Sequence, residues 1–453
     1  MHEKLSPTLR NDGRNNLEIW VFVGLVAGFV VQFLINGVSL SVDSERFVLF
    51  STIASPLYPW ILAAFRAVFG EGRYFFFVAL FQNVFAAFSC FCLVTFLKKE
   101  FRLNNAMYIL LAATVYATFL IQKFFTSSGL VVINAILTEG IAIPLYFLYT
   151  LHMLRSAIYR EKRAYLLAVL FSFLMVITRG QLYWTVAATA LMGFRVFVPE
   201  ENQQGMRRLA VRLAPVLLAV AVGVAAMLAE CTNTLIQGGI FRPVTAGRDV
   251  VLTTAFFCSD PQDGERFEEG SIERIIFDDV YVYIEENQAS LNHHEGDIFS
   301  WYDFFSNAYD PLKDQVILSI NTYAQEPVGI WSPLTRGLVA DNWPDILGQA
   351  VRNFYVGLMR SVAVFHRYIN GLAILFYVYC IGYIFLFRKN QALASVCTAL
   401  GTVLFCTLLN ALFVAFGVFA LSRYMFYNLP VLYTLALISL YRGYLLIRKS
   451  KDV

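Results

Sequence analysis

The chain has 453 residues, 58% hydrophobic, 16% aromatic and only 15% charged, with a formal net charge of +3 and a mean hydropathy of +0.60. A water-soluble chain carries about 25% charged residues, so this composition excludes a soluble globular protein. No basic patch with interleaved aromatics points to nucleic acid, and long apolar runs identify an α-helical polytopic membrane protein.

Residues 1–16 are polar and mixed in charge. The apolar run that follows is too long for a signal-peptide core, and no small-x-small cleavage site comes after it. A retained first span is therefore expected over about Leu17 to Val38. Lys4, Arg10 and Arg14 precede it, which puts the N-terminus in the cytoplasm by the positive-inside rule.

The first outward loop then covers about Ser39 to Gly72. It opens with Ser41-Val42-Asp43-Ser44-Glu45-Arg46-Phe47, a carboxylate pair beside a guanidinium. Phe47 to Ile53 and Leu57 to Phe69 read as short interfacial helices, the second entered through Pro56 and Pro59.

Further spans are expected over about Arg73–Leu97, Ala106–Lys123, Leu130–Leu154, Ala164–Thr178 and Leu182–Val198, and a seventh ends near Glu230. Basic clusters mark the inner loops: Lys98-Lys99 with Arg102, then Arg155 to Arg163, then Arg207 to Arg212. From Cys231 to about Gly348 the chain is polar and acidic, and it is expected to form a mixed α/β extracytoplasmic domain. Val250 to Phe257 looks strand-like there, and Ile272 to Glu285 looks helical. An amphipathic segment, Val351 to Phe365, leads into spans over about Tyr368–Phe387, Leu393–Phe416 and Tyr424–Leu446. Arg388-Lys389 and Arg448 to Lys451 again lie on the inner side, so both termini come out cytoplasmic. The expected organisation is a transmembrane module over 1–230, the extracytoplasmic domain over 231–348 and C-terminal transmembrane helices over 349–453, about ten spans in all.

Cys90, Cys92, Cys380, Cys397 and Cys406 sit in apolar runs as small buried thiols. Cys231 and Cys258 fall in or beside the polar segment and could pair if it is extracytoplasmic. His293-His294 lack a third ligand at convincing spacing, and no phosphate-binding glycine loop implies ATP.

Charges at the edge of a membrane core are costly, so each is a functional candidate. On the outward side these are Asp43, Glu45, Arg46, Lys123, Glu139, Arg179, His366, Arg367 and Arg423. They come from different spans yet share one expected depth. A carboxylate can take a proton from an attacking hydroxyl, and cations can hold a phosphate as its charge grows. Each also has a plainer reading: Asp43 as a helix cap, Glu139 as a structural partner for another span, and Arg179 and Arg423 as snorkelling span-end cations.

Four local patterns resemble the GT-C superfamily of polyprenyl-phosphate-sugar-dependent glycosyltransferases, in particular the bacterial members related to protein O-mannosyltransferases and aminoarabinose transferases. Asp43-Ser44-Glu45-Arg46-Phe47 resembles the acidic motif of the first outward loop. Ser55-Pro56-Leu57-Tyr58-Pro59-Trp60 with Phe69-Gly70 resembles the Pro-Leu-Tyr-Pro helix start and the Phe-Gly that follows it. Leu137-Thr138-Glu139 resembles the acidic residue of the fourth span. Ile177-Thr178-Arg179 and Ser422-Arg423-Tyr424, with Pro430 downstream, resemble the Thr-Arg and Arg-Tyr motifs.

The resemblance covers mainly the first seven spans and the last. It implies a GT-C-like module and an inverting transfer from a polyprenyl monophosphate to an acceptor hydroxyl on the outer face of the cell membrane. Asp43 is then the general base, with Glu45 beside it. Arg179, Arg423 and Lys123 contact the lipid phosphate, and Glu139 orients the donor. Arg46, His366, Arg367 and Tyr424 join the substrate-binding set. No cofactor is required, and a divalent metal is left open because the more distant oligosaccharyltransferase subunits use one. The acceptor is a glycan, lipid or protein. Here Ser44 separates Asp43 from Glu45, a departure from the family motif. Two other readings stay open: a flippase of a lipid-linked glycan, and a polymerase or ligase using a diphosphate-linked donor.

Overall fold

The computed structural model describes residues 14–48, 55–125, 131–199, 205–241, 248–324, 327–417 and 420–451. The first half alternates long apolar helices with short loops. Helix α1 (Arg14–Asn36) ends at Gly37, whose positive φ of 69° suits the residue after a helix end; its N–H bonds the Phe33 carbonyl at 2.7 Å. The first loop holds α2 (Val42–Val48) and α3 (Leu57–Phe69). Residues 49–53 of the expected Phe47–Ile53 piece lie outside the described residues. Then come α4 (Tyr74–Glu100), α5 (Asn105–Phe125), α6 (Glu139–Tyr159), α7 (Lys162–Thr178), α8 (Trp184–Val196) and α9 (Gly205–Gly238).

Helices α1, α4, α6 and α9 are long and apolar enough to cross a bilayer, as are α14 (Arg367–Phe387), α15 (Ala394–Gly417) and α17 (Leu429–Lys451). These make seven such helices among the described residues. The expected third, fifth and sixth spans correspond to shorter apolar helices. Helix α5 is apolar over Asn105–Ile121; α7 and α8 have 17 and 13 residues, fewer than the roughly 20 of a straight crossing.

Helix α6 is the hub, buried along most of its length against α4, α7, α8 and α15. Lipid tails are as apolar as leucine, so helices in a membrane associate through close packing and polar contacts rather than hydrophobic drive. Both are present. Gly140 at the start of α6 lets Gln82 of α4 come so close that an added Cβ would lie 2.2 Å from its Nε2. Ser172 on α7 and Thr185 on α8 bond each other at 2.8 Å, and Tyr149 of α6 reaches Thr189 at 3.1 Å.

Between α9 and α14 lie α10 (Arg248–Phe257), α11 (Ile272–Asn287), α12 (Ile298–Tyr323) and α13 (Pro327–Arg360). The described residues contain no strand; the one pairing outside helices is an isolated bridge between Ser39 and Ala135. The expected mixed α/β domain is therefore corrected to an all-helical one. Val250 to Phe257, expected as a strand, lies in α10. Leu252, Ala255 and Phe256 follow a helical i, i+3, i+4 spacing and are all fully buried, so packing on one helix face outweighs the β propensity of the Val-Val-Leu-Thr-Thr run.

This second core includes Phe277, Trp301, Phe305 and Leu334, and it continues into Val414 of α15 and Met425 of α16 (Ser422–Met425). Residues 230–231 lie within α9, and residues 348–349 lie within α13, so neither expected domain boundary is a break in a helix.

Candidate functional site

The alternation of helix directions brings the ends of α1, α5 and α7 and the starts of α6, α14 and α17 to one end of the bundle. The basic clusters of Lys98-Lys99, Arg160 to Arg163 and Arg388-Lys389 lie at the opposite ends of these helices.

At the first end, α4 builds a polar shelf. Gln82 donates through Nε2 to the carbonyls of Ile133 and Ala135, both at 2.9 Å, and its Oε1 accepts from the Tyr58 hydroxyl at 2.8 Å. Asn83 donates to the Asn134 side chain at 3.0 Å, which in turn donates to the Gly37 carbonyl at 3.1 Å. Ser39 and Asn134–Ile136 close the link through backbone bonds of 3.2 and 3.0 Å. The chain segment entering α6 is thereby tied to the start of the loop that carries Asp43. These bonds give partners to the carbonyls of Gly37, Ser39, Ile133, Asn134 and Ala135 in this irregular stretch, as buried backbone groups require.

Glu139 is the first residue of α6, where the helix dipole favours a carboxylate. Arg179 follows the last residue of α7 in an extended conformation (φ −158°, ψ 119°), which ends the helix and turns its guanidinium to Glu139. Arg179 Nη1 lies 2.6 Å from Glu139 Oε1 and donates to Thr138 Oγ1 at 3.1 Å, and its Nε donates to Gln181 at 2.9 Å. Arg423, in the short helix α16, places Nε 3.6 Å from the same Glu139 oxygen. Its Nη2 lies 2.5 Å from Asp43 Oδ2 on α2. Tyr424 provides the aromatic wall: its ring centroid is 4.4 Å from the Arg179 guanidinium carbon and 5.3 Å from that of Arg423. Gln181 and Asn410 both donate to the Tyr424 carbonyl, at 3.3 and 3.1 Å.

Five of the ten residues singled out in the sequence thus meet: Asp43, Glu139, Arg179, Arg423 and Tyr424. Side-chain exposure rises from 1% at Glu139 through 15% at Arg179 and 24% at Arg423 to 32% at Asp43. Glu139 is thus the floor of the group and Asp43 its rim. Two carboxylates face two guanidinium groups, which leaves the quartet formally neutral.

Four of the other five stand apart. Glu45 is exposed on α2. Arg46 is in the same helix, but its side chain lies outside the described residues. Lys123 is exposed and donates to Asn36 at the end of α1 at 2.8 Å. His366 caps α14, accepting from the Tyr368 N–H at 3.4 Å. Arg367 pairs with Asp297 at the start of α12; the Ser300 N–H first, then Arg367, holds the Asp297 carboxyl below its ordinary range.

Sequence reasoning missed Gln82, Asn83 and Asn134. Polar residues in apolar runs were the available signal. It also missed Arg360, at the end of α13. No cluster of three or more His, Cys, Asp and Glu capable of holding a metal occurs among the described residues, and Cys231 and Cys258 are free, buried thiols. No protein-family model, no curated protein and no solved structure matches this chain.

Proposed function

We propose that this membrane protein is an inverting glycosyltransferase that moves a sugar from a polyprenyl monophosphate to an acceptor hydroxyl on the extracytoplasmic face. The observation that carries the reading is the convergence of Asp43, Glu139, Arg179 and Arg423 from four separate elements at one end of the bundle. A transporter is expected to hold its charges near the bilayer midplane; these lie at helix ends.

In this reading the acceptor hydroxyl gives its proton to Asp43 as its oxygen attacks the anomeric carbon from the face opposite the phosphate. The bond from that carbon to the phosphate oxygen breaks, and the phosphate leaves with the electron pair. Arg423 and Arg179 meet the negative charge that grows there. Glu139 holds both guanidinium groups in place, and Tyr424 limits their swing.

The Arg423–Asp43 pair adds a condition. A carboxylate held by a guanidinium is a weakened base. Arg423 must therefore turn from Asp43 towards the donor phosphate before Asp43 can accept a proton, so donor binding arms the base. The helical layer from α10 to α13 lies over the same end and is the natural place for acceptor selection.

The test is transfer by purified wild-type protein from two donors bearing the same sugar, one on a polyprenyl monophosphate and one on a diphosphate. Transfer from the monophosphate alone supports the reading. Transfer from the diphosphate alone replaces it with the polymerase or ligase, and transfer from neither removes the enzyme.

A further inference from the structure

Beside the quartet, on the far side of Ser422, is a cavity of about 220 Å³. Val362, Ile369, Phe426 and Leu429 wall it with apolar surface, and Ser422 and Arg360 supply polar groups. It also reaches Ile121, which is 45% exposed on α5. Helix α14, which forms one side, presents Leu372, Leu375 and Val378 outward. The cavity therefore opens on a face built to meet lipid tails.

Arg360 is the unusual group in this wall. Its Nη1 donates to the Tyr302 hydroxyl at 2.7 Å and to the Ala420 carbonyl at 2.8 Å. The guanidinium carbon lies 4.2 Å from the Tyr302 ring centroid and 5.7 Å from that of Phe365. Its Nε is buried with no hydrogen-bond partner, and no carboxylate lies within ion-pair distance among the described residues. Arg179 and Arg423 are paired with Glu139 and Asp43; Arg360 has no such contact among the described residues, and Asp303 acts on it only from beyond ion-pair distance. A largely desolvated cation without a contacting counter-charge is costly, and its orphaned N–H adds to that cost.

We propose that this cavity binds the phosphate head of a membrane amphiphile, with the phosphate on Arg360 and Ser422 and the start of the apolar chain against Val362, Ile369, Phe426 and Leu429. The anion supplies a counter-charge in direct contact and an acceptor for the guanidinium, and the chain leaves towards Ile121 into the bilayer. A guanidinium fork is the side chain best suited to a phosphate. The site requires only that these helices lie in a membrane, so it goes beyond sugar transfer and does not depend on it.

The experiment is native mass spectrometry of the full-length protein, stripped of lipid in a neutral detergent and titrated with dodecyl phosphate. The expected result is one saturable adduct whose affinity falls by at least about tenfold in Arg360→Gln, the scale of one charge-assisted hydrogen bond. Dodecanol, with the chain and no charge, is expected to bind no better to wild type than to Arg360→Gln. Ala363→Phe keeps the charge and fills the cavity, and it should lose binding as well; it decides the matter if Arg360→Gln does not fold. Unchanged affinity in the folded variants, or equal uptake of dodecanol, overturns the site.

Competition separates the sources. Displacement by phosphatidylglycerol marks a bilayer lipid and displacement by farnesyl phosphate marks an isoprenoid carrier; displacement by neither overturns a membrane occupant. Adduct formation by a wild-type protein that transfers no sugar removes the enzyme and leaves this site standing, and transfer without an adduct does the reverse.

Discussion

Arg423 and Asp43 lie 380 residues apart in sequence, and Nη2 of one is 2.5 Å from Oδ2 of the other. The pair joins the first loop of the chain to the segment before its last helix. Through Glu139, 3.6 Å from Arg423 Nε, it is continuous with the buried pair of Glu139 and Arg179. Arg423 is thus the group that connects the rim of the site to its floor.

Glu139→Gln removes the carboxylate at that floor and leaves Arg179 largely buried without its counter-charge. Breaking a buried pair in this way costs about 3–5 kcal/mol. The variant is expected to unfold at a markedly lower temperature than wild type in the same detergent. Glu139→Gln combined with Arg179→Gln should recover part of that loss, because no lone charge remains. An unchanged melting temperature in the single variant contradicts the pairing.

Gly140→Ala places a methyl group 2.2 Å from Gln82 Nε2. Gln82 cannot retreat without giving up the carbonyls of Ile133 and Ala135, so overpacking of about 1–3 kcal/mol is expected. Gln82→Ala in the same chain should relieve the clash while losing the shelf. Melting curves of the two single variants and the double variant measure the coupling; strict additivity contradicts the contact.

Cys258 is predicted to be inert. Burial first, with Asp345 adding to it, pushes its thiol up to about 12, and a thiol that far above neutrality carries almost no thiolate at pH 8. Maleimide should leave Cys258 unlabelled in the folded protein and label it after denaturation without reductant. A requirement for reductant would reveal a disulfide and contradict the free thiols at Cys231 and Cys258.

The membrane class and the up-and-down order of helices were legible because both are written in composition: apolar runs of spanning length, and basic residues at alternating ends. The acidic floor and its two arginines were legible for a related reason, since a charge in an apolar run is too costly to be incidental. What failed was local propensity in the polar segment. Val250 to Phe257 carries β-branched and aromatic residues, yet the burial of Leu252, Ala255 and Phe256 on one face makes it a helix. Arg360 was missed for the opposite reason. It lies within the amphipathic segment Val351 to Phe365, where a basic residue draws no notice, and only the three-dimensional arrangement reveals that no carboxylate pairs with it among the described residues. Lys123, His366 and Arg367 shared the expected depth of the site, but depth does not fix position around the bundle, and they bond Asn36, Tyr368 and Asp297 instead.

Asp43 is proposed as the base, a role open to direct measurement. It is tested most directly by the rate of sugar transfer from a polyprenyl monophosphate donor by purified Asp43→Asn, which keeps the shape of the side chain and can still accept from Arg423. A loss of at least about a hundredfold, the low end for removing a general base, is expected in a protein that accumulates in the membrane and melts near the wild-type temperature. Transfer at the wild-type rate would contradict it.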